Sequence, residues 1–365
     1  MNCSLALVFS LVVSTPPVQP AATTLLGELA AREARGALDE GTAHYYRVAA
    51  FRRPDLLPAD LRALAVSPDQ EPHGSATAVF QEAWRYLQTR GRDDAALHAL
   101  LQPPDDYAFT LDSTVWPLRV NYASSGYATK AQQILDAAET SYSRQIEDWG
   151  WYQPTTFGNE RYRFYIDDAQ GAAAYTAPFE ENPDTAWTDC FTYIVVDPMN
   201  GEWEIPSVMA HEINHSMQAA MDCLEITAFW ENTATYMMAE VFPNAWYYAI
   251  YTVPDFQSQP WRSLHAMSQG GDAYEYGGAL LLWYLTDRFA PTDGAIFARE
   301  VWETAIQNGH SNEPDYFDAI GTVIAEREAG ATFDGMFMDF SEARYFVASN
   351  DDGNQIGRAS CRERV

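Results

Sequence analysis

The spacing of apolar positions changes its period along the chain. From Thr23 to about Gln102, apolar residues recur at three- and four-residue steps in TTLLGELAAREARGALDEGTAHYYRVAAF, SATAVFQEAWRYLQTRG and DDAALHALL, as amphipathic helices require. QPPDD at 102–106 interrupts that texture. WPLRVNYAS then reads as a strand, YATKAQQILDAAETSYSRQIEDWG as a long helix and RYRFYIDD as a strand. GAAAYTAPF reads as a short edge strand, and CFTYIVVDP, rich in β-branched and aromatic residues, as a buried one. EIPSVMAHEINHSMQAAMD predicts a helix with Pro206 in its first turn, where the missing N–H is no loss. After Ile226 the pattern is almost wholly helical, through ITAFWENTATYMMAEVF, YEYGGALLLWYLTDRF, AIFAREVWETAIQ, PDYFDAIGTVIAERE and DGMFMDFSEARYFVA. The expected class is α+β, an α+β lobe between two helical stretches.

Composition narrows the function classes. A 365-residue chain that is 47% hydrophobic and 14% aromatic is expected to fold around a large core. A net charge of −29, with no basic run to offset it, argues against nucleic acid or an anionic membrane as partner. Lys130 is the only lysine among the 22 basic residues, a codon bias of GC-rich genomes. The apolar run Leu5–Val13 is too short to span a bilayer. Small residues and prolines follow it, so 1–22 is expected to be a signal peptide and the mature chain secreted or periplasmic. No later segment has 18 consecutive apolar residues, so no membrane span is expected. QIGRASCRERV back-translates into a sequencing-adapter read, so 356–365 is expected to be a non-native tail at the end of a truncated 350–365 stretch. Cys3 and Cys361 then drop out, and Cys190 and Cys223 form the expected disulfide.

HEINH at 211–215 is the stretch that points to chemistry. Four residues apart on a helix, His211 and His215 share a face and can take two corners of a metal tetrahedron. Glu212 points to the neighbouring side, where it can serve as a base without ligating the metal. A chance HExxH is expected roughly 0.01 times in such a chain. A third ligand is needed. Met221 stands where the metzincin pattern would put a histidine. Glu231, in the apolar FWENTATYMMAE helix, is the first choice because an unpaired carboxylate there would be costly; Glu225 and Glu240 are its rivals. Tyr276, then Tyr274 and His265, are the candidate oxyanion donors, set beside the glycines of GGDAYEYGG or near them, although most of the 21 tyrosines must simply pack.

HExxH followed by Trp-Glu-Asn-Thr-Ala resembles the gluzincin group of zinc metallopeptidases, and more narrowly the secreted metalloproteases typified in myxobacteria. The likeness covers Phe109 to Val347 through RVNYASSGYATKAQQILDAAE, WGWYQP, YIVVDP, HEINHSMQ, FWENTATYMMAE and YEYGGALLLWYL. It implies one Zn2+ held by His211, His215 and Glu231, with Glu212 as general base in the hydrolysis of a protein or peptide substrate. The gap between His215 and Glu231 is shorter than in the best-studied gluzincins, and Thr235 stands where many carry a carboxylate that supports a histidine ligand. The implied plan is a helical segment over 23–108, a zincin-like lobe over 109–225 with a small mixed sheet, a long helix and the HExxH helix, and a helical lobe over 226–349. The N-terminal segment is read either as a pro-segment or as a permanent subdomain. A zincin-fold binding protein without catalysis is the alternative function; the intact Glu212 argues against it.

Two weaker expectations complete the reading. Gly171–Phe179 offers an edge against which a substrate backbone can lie. The acidic run EENPDTAWTD at 180–189 lacks the alternating oxygen spacing of a calcium loop, so calcium is unsupported and a solvated loop expected. His44, His73, His98 and His310 carry no partner pattern.

Overall fold

Every side chain of Cys190–Val196 is buried, and the sheet is organised around that strand. The computed structural model describes residues 24–65, 75–156, 160–268, 272–307 and 313–344. The expected signal peptide, His73, His310 and the 350–365 tail lie outside the described residues. Among the described residues the five strands are β1 (Phe109–Asp112), β2 (Leu118–Tyr122), β3 (Tyr162–Ile166), β4 (Ala174–Glu181) and β5 (Cys190–Val196). Their spatial order is β1-β2-β3-β5-β4. The central β2, β3 and β5 are parallel, while β1 and β4 run antiparallel to their neighbours. Val120, Phe164 and Ile194 stand side by side across the three central strands, all fully buried.

The N-terminal block comprises α1 (Leu25–Ala34), α2 (Glu40–Arg52), the single turn α3 (Ala59–Arg62), α4 (Thr77–Thr89) and α5 (Ala95–Leu101). Asp39 and Asp94 cap α2 and α5 by accepting the Thr42 and Leu97 N–H groups. Leu25, Leu29, Ala49, Leu57 and Leu61 make a small core of their own, whereas Phe80, Ala83 and Trp84 of α4 belong to the main one. Phe80 stacks on Tyr175 of β4 with ring centroids 4.2 Å apart.

Between β2 and β3 lies the expected long helix, α6 (Ala128–Tyr142), which runs on into a π-helical turn at Ser143–Asp148. The HExxH helix is α7 (Ile205–Ala219), followed by α8 (Thr227–Val241). Both are buried nearly all round, as suits helices that cross the middle of a molecule. The remaining helices are α9 (Tyr247–Gln257), α10 (Tyr274–Gly277), α11 (Ala279–Phe289), α12 (Gly294–Ala305), α13 (Tyr316–Arg327) and α14 (Phe333–Ala343). The fold is α+β. A disulfide joins Cys190, at the start of β5, to Cys223, just past α7, with Cα atoms 5.8 Å apart. Among the described residues no helix is long and apolar enough to cross a membrane.

One expectation about the sheet needs correcting. β4 is an edge strand in the strand order, but its outer side is not open to an incoming chain. Ser75 forms a parallel bridge to Ala174, and the Ala76 N–H donates to the Ala174 carbonyl at 3.2 Å. The Thr176 N–H donates to Thr77 Oγ1 at 2.8 Å, and Gln102 Nε2 donates to the Phe179 carbonyl at 3.2 Å. The chain's own N-terminal block covers the edge, a common way of hiding unpaired strand groups.

Candidate metal centre

Pro206 in the first turn of α7 starts a helix whose residues from Met209 to Ala219 are all buried. His211 and His215 lie one turn apart on it, and α8 packs alongside and brings in Glu231. His211 Nε2 and His215 Nε2 are 3.0 Å apart. Glu231 Oε2 lies 3.1 Å from the first and 3.4 Å from the second. Among the described residues this is the one group of three or more such side chains able to hold a metal ion. The acidic run at 180–189 gathers no comparable group; its Asp189 accepts hydrogen bonds from Asn182, Thr155 and Thr185 instead.

Burial would raise the carboxyl of Glu231 and lower the imidazole of His215. The opposite charges facing each other outweigh it, holding Glu231 at about 2 and raising His215 above its ordinary value. A carboxylate facing two imidazole nitrogens thus favours a positive charge at the centre of the triangle, whether proton or metal. Glu231 Oε1 is buried and has no hydrogen-bond partner among the described residues.

His215 is held from two further sides. Its ring lies along the face of Trp230, centroids 5.7 Å apart. Its Nδ1 is 2.8 Å from Gln218 Oε1. Gln218 Nε2 donates to Asn214 Oδ1 and to the Trp230 carbonyl, and Asn214 Nδ2 donates to Gln145 Oε1. Gln145 sits in the π-helical turn and donates to the Ala210 carbonyl. A relay of amides therefore orients the histidine, where Thr235 contributes nothing: its buried hydroxyl has no hydrogen-bond partner among the described residues.

Glu212 is buried on the neighbouring side of α7. Its Oε2 accepts the hydroxyls of Thr176 at 2.8 Å and Thr77 at 2.9 Å. Tyr276 lies beside His211, ring centroids 5.9 Å apart, and its hydroxyl donates to the Ser75 carbonyl and accepts the Ser75 N–H. Tyr274 is placed elsewhere, its hydroxyl donating to the Arg262 carbonyl at 3.0 Å under a stacked guanidinium. Two positions apart on one helical turn, the two tyrosines diverge by about 200°. His265 is exposed and stacks on Phe317, so it too stands outside the group of His211, His215 and Glu231. Of the rival ligands, Glu225 accepts the Ile226 N–H at the α7–α8 connection, and Glu240 lines a cavity with Trp246 and Trp283.

Sequence reasoning missed Thr77, Thr176, Gln218 and Tyr248. Tyr248 of α9 packs edge-on against Tyr276, centroids 5.8 Å apart, and burial together with the nearby Glu231 charge raises its phenol well above normal. No periodicity or spacing marks it. Gln218 carried a signal, since it lies three residues beyond His215 on the same helix face.

No curated protein matches the chain. The match to Family of unknown function (DUF6055) spans residues 118–314, and so takes in α7, α8 and α10 while leaving α1–α5 outside. That span is more than half of the chain, which therefore belongs to Family of unknown function (DUF6055).

Proposed function

We propose that the chain is a zinc-dependent metallopeptidase of gluzincin type, with His211, His215 and Glu231 as ligands and Glu212 as general base. The observation that carries the reading is the triangle of donor atoms, with sides of 3.0, 3.1 and 3.4 Å. Ligands at ordinary zinc bond lengths in a tetrahedron lie ~3.3 Å apart, so nitrogen, nitrogen and oxygen here suit zinc in both type and spacing. Glu231 Oε1, without a hydrogen-bond partner among the described residues, and the hydrogen-bonded His215 Nδ1 agree with that assignment.

A zinc ion bound there would supply a Lewis acid that brings the ionisation of water near neutral pH. The chain's own residues do the rest. Glu212 is the carboxylate placed to accept a proton from an attacking water and to pass it to the departing amine. Both hydroxyl bonds go to its Oε2, which leaves Oε1 for that exchange. Tyr276 packs its ring beside His211, with Tyr248 against it, and its hydroxyl, once released from the Ser75 carbonyl, would be the donor for the charge that develops on the scissile carbonyl oxygen. The Cys190–Cys223 disulfide and the apolar N-terminal run support secretion into an oxidising compartment.

A second reading has its own observation. His215 and Glu231 are fully buried, His211 is only 5% exposed, and β4 is already covered by residues 75–77. These features favour a zincin-fold protein that holds a metal without turning over substrate. Glu212→Gln separates the two. The metallopeptidase reading expects metal retained and hydrolysis of an unfolded protein substrate reduced by about 10²–10⁴-fold. Hydrolysis equal to wild type would end that mechanism, and no hydrolysis by metal-loaded wild type would leave the second reading in place.

A further inference from the structure

We infer that Thr77, carried by the N-terminal helical block, is a positioning residue for Glu212, so that residues 75–101 complete the site and are not a segment discarded before use. The inference rests on the metallopeptidase reading for its catalytic meaning.

The hydroxyl of Thr77 has a single hydrogen, and its surroundings settle where that hydrogen goes. Thr77 Oγ1 accepts from the Thr176 N–H at 2.8 Å and from the Ser75 hydroxyl at 2.8 Å. With both acceptor positions filled, its hydrogen is left for Glu212 Oε2 at 2.9 Å. Thr176 is the weaker anchor, because its one hydrogen is shared between Glu212 Oε2 at 2.8 Å and the Glu212 carbonyl at 2.9 Å. Thr77 therefore supplies the undivided bond to the carboxylate, in a place where Glu212 is 1% exposed and water is scarce.

The segment bearing Thr77 is built into the molecule. Thr77 opens α4, whose Phe80, Ala83 and Trp84 are in the main core. Gln81 Nε2 donates to the Glu225 carbonyl at 2.8 Å, which ties α4 to the connection between the two ligand-bearing helices. The hydroxyl of Tyr276 grips both the N–H and the carbonyl of Ser75. Removing the block would bare the apolar faces of β4 and α4's neighbours and release Glu212 from its fixed partner. The contrary possibility is that residues 75–77 obstruct the site, and it makes the opposite prediction for the same variant.

The test uses the full chain, loaded with zinc, with Thr77→Val and Thr77→Ser beside wild type. Val keeps the shape and removes the hydrogen; Ser keeps the hydrogen. The expected result is that kcat falls about tenfold or more in Thr77→Val while KM and zinc content stay near wild type, and that Thr77→Ser recovers most of the loss. A Thr77→Val enzyme with wild-type kcat overturns the inference, and one with raised kcat overturns it in favour of obstruction. A melting cycle on Thr77→Val, Glu212→Ala and the double variant needs no activity. Shifts smaller in sum than the two singles predict support the contact, and strictly additive shifts overturn it. A zinc-loaded wild type that hydrolyses nothing overturns the peptidase reading itself, and with it the catalytic role of Thr77; an active wild type with an unaffected Thr77→Val overturns the inference alone.

Discussion

His215 Nδ1 lies 2.8 Å from Gln218 Oε1, so the imidazole donates its Nδ1 hydrogen along its own helix and leaves Nε2 as the atom that faces His211 and Glu231. The tautomer a metal needs is thereby set by a neighbour three residues on. Replacing Gln218 by Leu keeps the bulk and removes the acceptor. Zinc affinity, measured by competition with a chelator, is expected to fall 10–100-fold. Unchanged affinity would mean that the amide relay through Asn214 and Gln145 has no part in holding the ligand.

Asp222 gives the stability a pH dependence of defined sign. Burial raises its carboxyl to about 6 from the ordinary 3.8, against the pull of bonds from the Leu224 N–H, Thr188 and Gln307. The folded chain thus binds this proton more tightly than the unfolded one. Its contribution to stability is intact below about pH 4, declines as pH rises to about 6, and stays diminished above that. Asp222→Asn is expected to melt higher than wild type at pH 8 and to lose that advantage at pH 4. Parallel melting curves at both pH values would remove Asp222 from the account.

The disulfide closes a sequence separation of 33 residues between β5 and the end of α7. Loop closure of that length is worth about 3–4 kcal/mol in the chain-entropy description. A Cys190→Ser, Cys223→Ser double variant should unfold at lower denaturant by about that amount, and reductant should shift wild type alone. A shift below about 1 kcal/mol would show that the buried contacts of Cys190 and Cys223 suffice without the bond.

Local features of the sequence were enough to place much of this molecule. The β-branched run at 190–196 is fully buried, the i, i+4 histidines share a helix face, and the burial argument singles out the same Glu231 that meets them. What local pattern could not supply is pairing across long separations. Thr77 meets Glu212 across 135 residues and Thr176 across 99, and nothing in SATAVF distinguishes a threonine that caps a helix from one that anchors a carboxylate. The edge strand was legible as an edge, but not its cover, because the covering residues follow a different helical block. Tyr276 ranked ahead of Tyr274 beside their glycines, but that the turn of α10 sends their hydroxyls to Ser75 and Arg262 was not legible there.

The central claim is that His211, His215 and Glu231 form one zinc site, and elemental analysis of the purified chain beside Glu231→Ala tests it most directly. The account predicts about one zinc per wild-type chain and its loss from the variant, with both proteins folded. A well-folded wild type that takes up no zinc, or a Glu231→Ala chain that keeps its full complement, would contradict it.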